Sequence, residues 1–450
     1  MFSDREYLST LIKIGLPIAI QNFLTSSLNA FGVLLVGQLG ETQVAAVGLA
    51  NQIFFLLNLM LFGIISGSAI FTAQFWGSQD LPGIRKVVGL CLGLALCAGA
   101  LFTVVALALP KAALGLYTSD PQVIELGSQY LGIIGLSYLA TAVSFTFGMH
   151  LRAIGSVRIP MLVSAGALGL GTILSYFLIF GAMGLPAMGV RGAALGACLA
   201  RLLECGVLLA VTYLGRLPTA VYLSDLRRLT GSFVRRFLAT VLPVTANETA
   251  WSFGITIYSV IYAHIGTQAI AAVNIASTIE GLVIVIFMGI TNASAIMIGN
   301  KIGAGQEHKA YLYARRSLLL GVGLAVLAGL LLILLAGPIL SYYNIGPDAA
   351  ESARRILVVL GCALWVRVSN MTLIVGILRS GGDTRFSLML DVGTVWLVGI
   401  PMALLGAFVF QLPVYWVYAM VMADDLVKAI GGMYRFLSRK WINNLARDMV

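Results

Sequence analysis

Four ionisable residues interrupt the apolar stretches in the second half of this chain: Glu248, Glu280, Arg367 and Asp391. A charge held in hydrocarbon is costly, so it needs a partner, a wet cavity or neutralisation. At a helical rise of about 1.5 Å per residue, Glu248, Glu280 and Arg367 fall roughly 15 Å inside their expected helices, near a bilayer midplane. Asp391 falls about 8 Å inside its own. Three carboxylates against one guanidinium leave a surplus of two negative charges if all ionise. Packing does not require such a surplus, whereas a site that takes up and releases protons or cations does. The competing reading is structural, an ion pair that only holds helices together. In either reading Arg367 is expected to be held by Glu248 or Asp391.

The elements that must position these groups come in two copies. At an offset of 226, Leu16-Pro17 meets Leu242-Pro243, Gly40 meets Gly266, Gly63 meets Gly289 and Gly77 meets Gly303. At an offset of 227, Leu151-Arg152, Gly155 and Arg158 meet Leu378-Arg379, Gly382 and Arg385. In the first copy Asn22, Phe54 and Thr141 stand where the second has Glu248, Glu280 and Arg367. The first copy therefore offers polar but uncharged candidates: Gln21, Asn22 and Asn29, with Thr25, Ser26, Asn51 and Asn58. Pro17 and Pro243 occupy equivalent places in the first helix of each copy, where an interior proline frees a carbonyl and allows a kink. They are the hinge candidates. Duplication in a very apolar chain points to a two-lobed transporter with its path between the lobes.

Of the 450 residues 59% are hydrophobic and 10% charged, with a mean hydropathy of +0.96. Soluble domains carry about 25% charged residues. Helices are expected at 11–37, 44–75, 84–109, 123–148, 159–181, 190–214, 237–263, 270–299, 312–336, 353–378, 386–410 and 413–437. The expected class is an all-α integral membrane protein of twelve transmembrane helices. Its expected parts are an N-terminal six-helix lobe over 1–214, a polar cytoplasmic linker over 215–236 and a C-terminal six-helix lobe over 237–450. Six spans per copy make the repeats parallel. The polar start, with Asp4, Arg5 and Glu6, lacks a cleavable signal pattern, so the first span is expected to be retained. With both termini cytoplasmic, 22 of the 28 Lys and Arg fall on the inner side, Arg379 and Lys428 among them. That bias follows the positive-inside rule. The net charge of +10 is then topological and carries no nucleic-acid partner. The histidines His150, His264 and His308 read as interfacial, Arg201 and Glu204 as a local ion pair, and the five cysteines as packing residues.

The segments VGQLGETQVAAVGLANQI (36–53), FGIISGSAIFTAQFWG (62–77), LPVTANETAWSFG (242–254), GNKIGAGQEHKA (299–310) and GILRSGGDTRFSLMLDVGTVWLVGIP (376–401) together resemble the MATE family, the multidrug and toxic compound extrusion transporters. The resemblance runs along nearly the whole chain. It implies a V-shaped pair of six-helix lobes and export of organic cations or drugs by antiport with protons or sodium ions. Asn247, Glu248 and Trp251 match an Asn-Glu-x-x-Trp pattern of the seventh helix, and Asp391 matches an acid that follows GGDT. One departure stands out. Gly32 occupies the place of the first-helix aspartate usually assigned a coupling role, so coupling is expected to rest on the second lobe.

The expected function is a secondary antiporter exporting amphipathic or cationic small molecules across the inner cell membrane. No catalytic residue and no cofactor are expected. The coupling ion is a proton or sodium, with Glu248 and Asp391 as the sodium candidates, and a monomer suffices. The alternative is a flippase for lipid-linked or amphipathic substrates, which would favour several basic cavity residues. Arg367 is the one such base that the spans reveal. An enzyme is excluded by the lack of a His-Glu-x-x-His or Gly-x-Ser-x-Gly constellation. A nucleotide-driven pump is excluded by the lack of a phosphate loop.

Overall fold

A computed structural model describes residues 5–447 except 182, 183, 185, 228 and 344. Asp4 and Arg228 therefore lie outside the described residues. The described chain is helical throughout: α1 (Arg5–Gly37), α2 (Glu41–Gly77), α3 (Leu81–Ala108), the short α4 (Pro110–Gly115), α5 (Pro121–Ile134), α6 (Tyr138–Ala153), α7 (Arg158–Phe180), α8 (Val190–Leu214), the single turn α9 (Leu223–Leu226), α10 (Gly231–Ile265), α11 (Thr267–Gly303), α12 (Glu307–Leu340), α13 (Pro347–Met371), α14 (Thr384–Thr394), α15 (Ile400–Leu404) and α16 (Val414–Leu437). A 3-10 turn joins α5 to α6. Three π-helical stretches, Thr372–Arg379, Val395–Gly399 and Leu405–Val409, continue α13 and link α14 to α15 and beyond. Joined in this way, the long helices number twelve and occupy the twelve expected places.

The repeat is written into the helix ends. α2 and α11 are each 37 residues long. Each follows a glycine in a conformation that side-chain-bearing residues avoid, Gly40 at φ 124° and Gly266 at φ 151°. Elsewhere side chains and proline start the helices. Asp80 accepts from the Gly83 amide at the head of α3, and Asp120 accepts from the Gln122 and Val123 amides ahead of Pro121 in α5.

Ten of the twelve long helices are apolar enough, by length and composition, to cross a membrane. The two that fall short, Gly231–Ile265 and Val414–Leu437, carry Asn247 and Glu248 on one and Asp424, Asp425 and Lys428 on the other. Polar cargo, and not shortness, lowers their hydropathy.

The chain forms two compact units, Ile20–Val241 in one, and Met1–Ala19 with Leu242–Val450 in the other. The expected lobe boundaries are thus displaced at the first and seventh helices. α1 changes unit between Ala19 and Ile20, and α10 between Val241 and Leu242. The start of α1 is fixed to the second copy: the Tyr7 hydroxyl lies 2.8 Å from Ser317 Oγ, and its ring lies 5.1 Å from that of Tyr313. The start of α10 is fixed to the first copy: Phe233 stacks on Phe75 at 6.4 Å and Phe237 lies 5.8 Å from Phe71. Tyr7 and Phe233 are 226 residues apart, so the two exchanges are one feature made twice. The segment 215–236, expected as a polar cytoplasmic linker, falls within the first unit, with Arg85 over the Tyr222 ring at 5.4 Å.

In the unit of Leu242–Val450, side chains of α10, α11, α13 and α16 form one apolar core around Ala272, Ala276, Leu360 and Val417. The contact of α1 with α11 depends on glycine. A Cβ placed on Gly289 would lie 2.8 Å from the Gly15 carbonyl oxygen and 2.9 Å from the Ala19 methyl. Gly281, on the same helix, has nothing within 4 Å of that position. Alanine is the better helix former by about 1 kcal/mol, whereas forced contact costs about 1–3 kcal/mol. Gly281→Ala is therefore expected to hold or raise the melting temperature in detergent, and Gly289→Ala to lower it. Equal responses would show that the α1–α11 approach is looser than described.

Candidate functional site

Beside the pair of Asp383 and Arg435 at 2.6 Å, eight ionisable groups of the second unit form two connected clusters, with α16 contributing to both. In the first, the Glu248 carboxylate accepts from Arg379 Nη1 at 2.6 Å. Arg379 Nη2 also stands 3.9 Å from Asp391 Oδ2. That oxygen accepts from the Asn247 amide at 2.9 Å. The other carboxylate oxygen of Asp391 meets Lys428 Nζ at 3.0 Å. Lys428 reaches back one helical turn to Asp424 at 3.5 Å. Asp424 in turn accepts from the Tyr258 hydroxyl at 3.4 Å.

The second cluster centres on Arg367. Its guanidinium pairs with Glu280 and, through Nε at 3.1 Å, with Asp425. The Tyr418 hydroxyl donates to Glu280 at 3.4 Å, and its ring lies 5.8 Å from the guanidinium carbon. Asn370 donates to both the carboxylate and the backbone carbonyl of Asp425, at 3.1 and 2.8 Å.

Local structure explains this placement. Asp424 and Asp425 are neighbours on α16, and a helix turns about 100° per residue, so they serve different clusters. Arg379 ends the π-helical stretch Thr372–Arg379, and another begins four residues after Asp391. Each inserts extra backbone into a turn and re-aims the side chains beside it. Gly399 seats Tyr258, since a Cβ there would overlap the phenol oxygen.

The sequence-predicted residues are thus partly brought together. Asn247, Glu248 and Asp391 share a cluster, as do Arg367 and Glu280. The expected pairing of Arg367 with Glu248 or Asp391 is not made, because Arg379 and Lys428 take those acids. Trp251 is 39% exposed and lies one turn along α10 from Asn247 and Glu248. Gln21 is buried, Asn22 half-buried and Asn29 exposed. An added Cβ at Gly32 meets nothing within 4 Å, so the missing acid left open space and not a helix contact. Pro17 and Pro243 lie inside their helices, within three residues of the points where those helices change unit.

Sequence reasoning missed Arg379, Lys428, Asp424 and Asp425. Arg379 and Lys428 count among the cytoplasmic charges in the sequence, but both are buried. Their inclusion alters the members and leaves the total: five carboxylates face three bases, again two negative charges in surplus. Sodium bridging Glu248 and Asp391 does not fit, because one guanidinium already spans both acids and Asn247 and Lys428 take the remaining contacts of Asp391. Among the described residues no group of three or more His, Cys, Asp or Glu is arranged to hold a metal.

Repeat equivalence is the signal that could have found Lys428. At an offset of 227 it falls on Arg201, and Asp391 falls on Ser164. In the first unit Arg201 donates to Glu204 at 3.0 Å, Ser164 donates to the same carboxylate at 2.5 Å, and Phe54 and Phe145 lie under the guanidinium. The expected local pair of Arg201 and Glu204 is therefore present. His150 departs from expectation. It is fully buried, with its ring nitrogens 3.1 Å from Ser68 and 2.8 Å from Thr72 of α2. His264 and His308 are exposed. Of the cysteines, Cys97 and Cys362 are exposed and do not pack internally.

Fold and site together define a polytopic membrane protein made by duplication, with its ionisable groups concentrated in one copy. The chain belongs to the MatE family, whose model matches it twice, over residues 17–177 and 243–405. It is 24% identical to the probable multidrug resistance protein NorM of Thermotoga maritima, covering 97% of this chain and 93% of that one. It is 25% identical to the multidrug resistance protein PmpM of Pseudomonas aeruginosa, over 88% and 83%. Among solved structures, MATE in its bent conformation superposes with a TM-score of 0.86 at 19% identity, covering 96% of both chains. A MOP superfamily transporter of Pyrococcus furiosus, described as having a binding pocket of reversed polarity, superposes at 0.84 with 19% identity and the same coverage.

Breaking a buried ion pair by removing one partner costs about 3–5 kcal/mol, because the other charge is left unanswered. Arg367→Ala is expected to destabilise the protein strongly, and Glu280→Gln added to it to restore part of the loss. Arg367→Ala with Glu248→Gln is expected to be additive. Melting in detergent across both double-mutant cycles checks this. Coupling to Glu248 and none to Glu280 would contradict the pairing.

Proposed function

We propose that this chain is a secondary active antiporter that exports organic cations or drugs in exchange for protons or sodium ions. Transport proceeds by alternating access between two lobes, with coupling in the C-terminal lobe. The observation that carries this reading is the surplus of two carboxylates in the second unit. The equivalent places in the first copy hold Asn22, Phe54 and Thr141, and Gly32 stands where the resemblance puts an acid. The relatives named as multidrug resistance proteins support the substrate class.

Glu248, Asn247 and Asp391, joined by Arg379 and Lys428, form the coupling group in this reading. A proton added to Glu248 removes the charge that holds Arg379 and frees the guanidinium to turn fully to Asp391. The pairing of the cluster thereby changes with its proton content, which is what alternating access requires of a coupling site. Arg367, Glu280 and Asp425 hold α11, α13 and α16 in register beside it. Tyr258, Tyr262 and Tyr418 pack, buried, beside these acids. Pro17 and Pro243 act as the hinges. The protein works as a multi-pass inner-membrane monomer with both termini cytoplasmic. The flippase reading gains two buried bases, Arg379 and Lys428, beside the half-buried Arg367, but is the weaker one, since each base is already bonded to a carboxylate.

The test is uptake of a fluorescent organic cation into inverted vesicles, with pH and sodium gradients imposed separately. Glu248→Gln is expected to reach the membrane at normal levels and to lose gradient-driven uptake by tenfold or more, a fold equal to about 1.4 kcal/mol or above. Uptake at the wild-type rate would remove Glu248 from the coupling role.

A further inference from the structure

Lys428 is the least expected member of the site. It lies on α16, the last long helix, about two-thirds of the way along, and only 5% of its surface is exposed. Its ammonium sits between Asp391 of α14 at 3.0 Å and Asp424 of its own helix at 3.5 Å. Asp391 is further held by Asn247 of α10, and Asp424 by Tyr258 of the same helix. Three helices thus contribute oxygen and amide groups around one monovalent positive charge. Arg379 is the nearest other base, and it approaches the opposite oxygen of Asp391.

We propose that Lys428 is a built-in cation. It fills the position between Asp391 and Asp424 that a sodium ion would otherwise take, and so makes transport by this protein independent of sodium. This inference rests on the antiport reading above and narrows its coupling ion.

The argument is one of competition between charges. Two carboxylates withdrawn from water require a counter-charge, and a lysine ammonium is a compact point charge on a flexible stem that can supply it. Because it is tethered, it competes at a high effective concentration against any ion from solution. A free cation must displace it, and displacement would leave the ammonium itself buried and unpaired. The donor set is otherwise suited to a small hard cation, with carboxylate oxygens and a phenol oxygen close by. Removing only the lysine side chain should therefore turn a sodium-indifferent place into a sodium-binding one. The equivalent residue of the first copy, Arg201, holds its own acid, Glu204, so a tethered base on this helix is common to both copies.

The experiment compares thermal melting of purified full-length wild type and Lys428→Ala in sodium chloride and in equimolar choline chloride. Wild type is expected to melt at the same temperature in both. Lys428→Ala is expected to melt several degrees higher in sodium than in choline, as a ligand that binds only the folded state requires. Should the variant be recoverable only when sodium is present throughout purification, the proposal is equally supported. Recovery that is poor to the same degree in both salts would overturn it, as would a folded variant indifferent to sodium. Sodium stabilisation of wild type as large as that of the variant would overturn it as well. These readouts require no transport. If neither gradient drives uptake in wild type, the antiport reading fails while the sodium comparison still decides the role of Lys428.

Discussion

A carboxylate inside a bilayer has to be answered by a donor or a cation, and the second unit of this protein holds five of them. Arg367, Arg379 and Lys428 answer three in net charge, and Asn247, Asn370, Tyr258 and Tyr418 add hydrogen bonds. The remaining two negative charges are what the rest of the structure must accommodate. The polar residues of the two clusters keep α10 and α16 from reaching the hydropathy of a membrane span that the other long helices reach. The paired groups tie α10, α11, α13, α14 and α16 together through polar bonds in addition to the apolar core. In the antiport proposed above, a proton arriving at Glu248 would change the pairing, because Asp391 already stands near the base that would be freed.

Duplication supplied the frame on which this asymmetry was placed. α2 and α11 match in length and in the glycine that starts them. The first helix of each copy begins in the compact unit formed by the other, held by Tyr7 in one case and Phe233 in the other. The base on the last helix is also kept, as Arg201 and Lys428. What differs is the company it keeps. In the first unit one carboxylate and two aromatic rings surround Arg201. In the second, Lys428 sits between two aspartates. The same scaffold thus carries a closed ion pair in one copy and a charge surplus in the other.

Much of this was legible in the sequence, and the limits have physical causes. Length, hydropathy and the 226-residue offset were sufficient for twelve helices in two copies, because bilayer thickness and backbone hydrogen bonding leave few other solutions. Glu248, Glu280, Arg367 and Asp391 stood out because each is an isolated charge in an apolar run. Arg379 did not, because a base near a helix end normally reports topology, and Lys428 did not, because it lies in the inner half of the last helix among other basic residues. Depth counted in regular turns also misleads where the backbone widens, as it does at Thr372–Arg379 and Val395–Gly399. Asp424 and Asp425 were hidden in the same way, as part of a polar-looking final helix. The partners of Arg367 could not be read from spacing at all, since they depend on which faces of α11, α13 and α16 meet.

In the antiport proposed above, and with sodium excluded by Lys428 as inferred, the surplus negative charge of the second unit would be held by protons until an organic cation displaces them. This is tested most directly by adding a fluorescent organic cation to the purified protein in weakly buffered detergent solution and recording the pH. The account predicts that binding releases protons, and that Glu248→Gln releases fewer per molecule bound. Binding of the cation with no change in proton content, in wild type and variant alike, would contradict it.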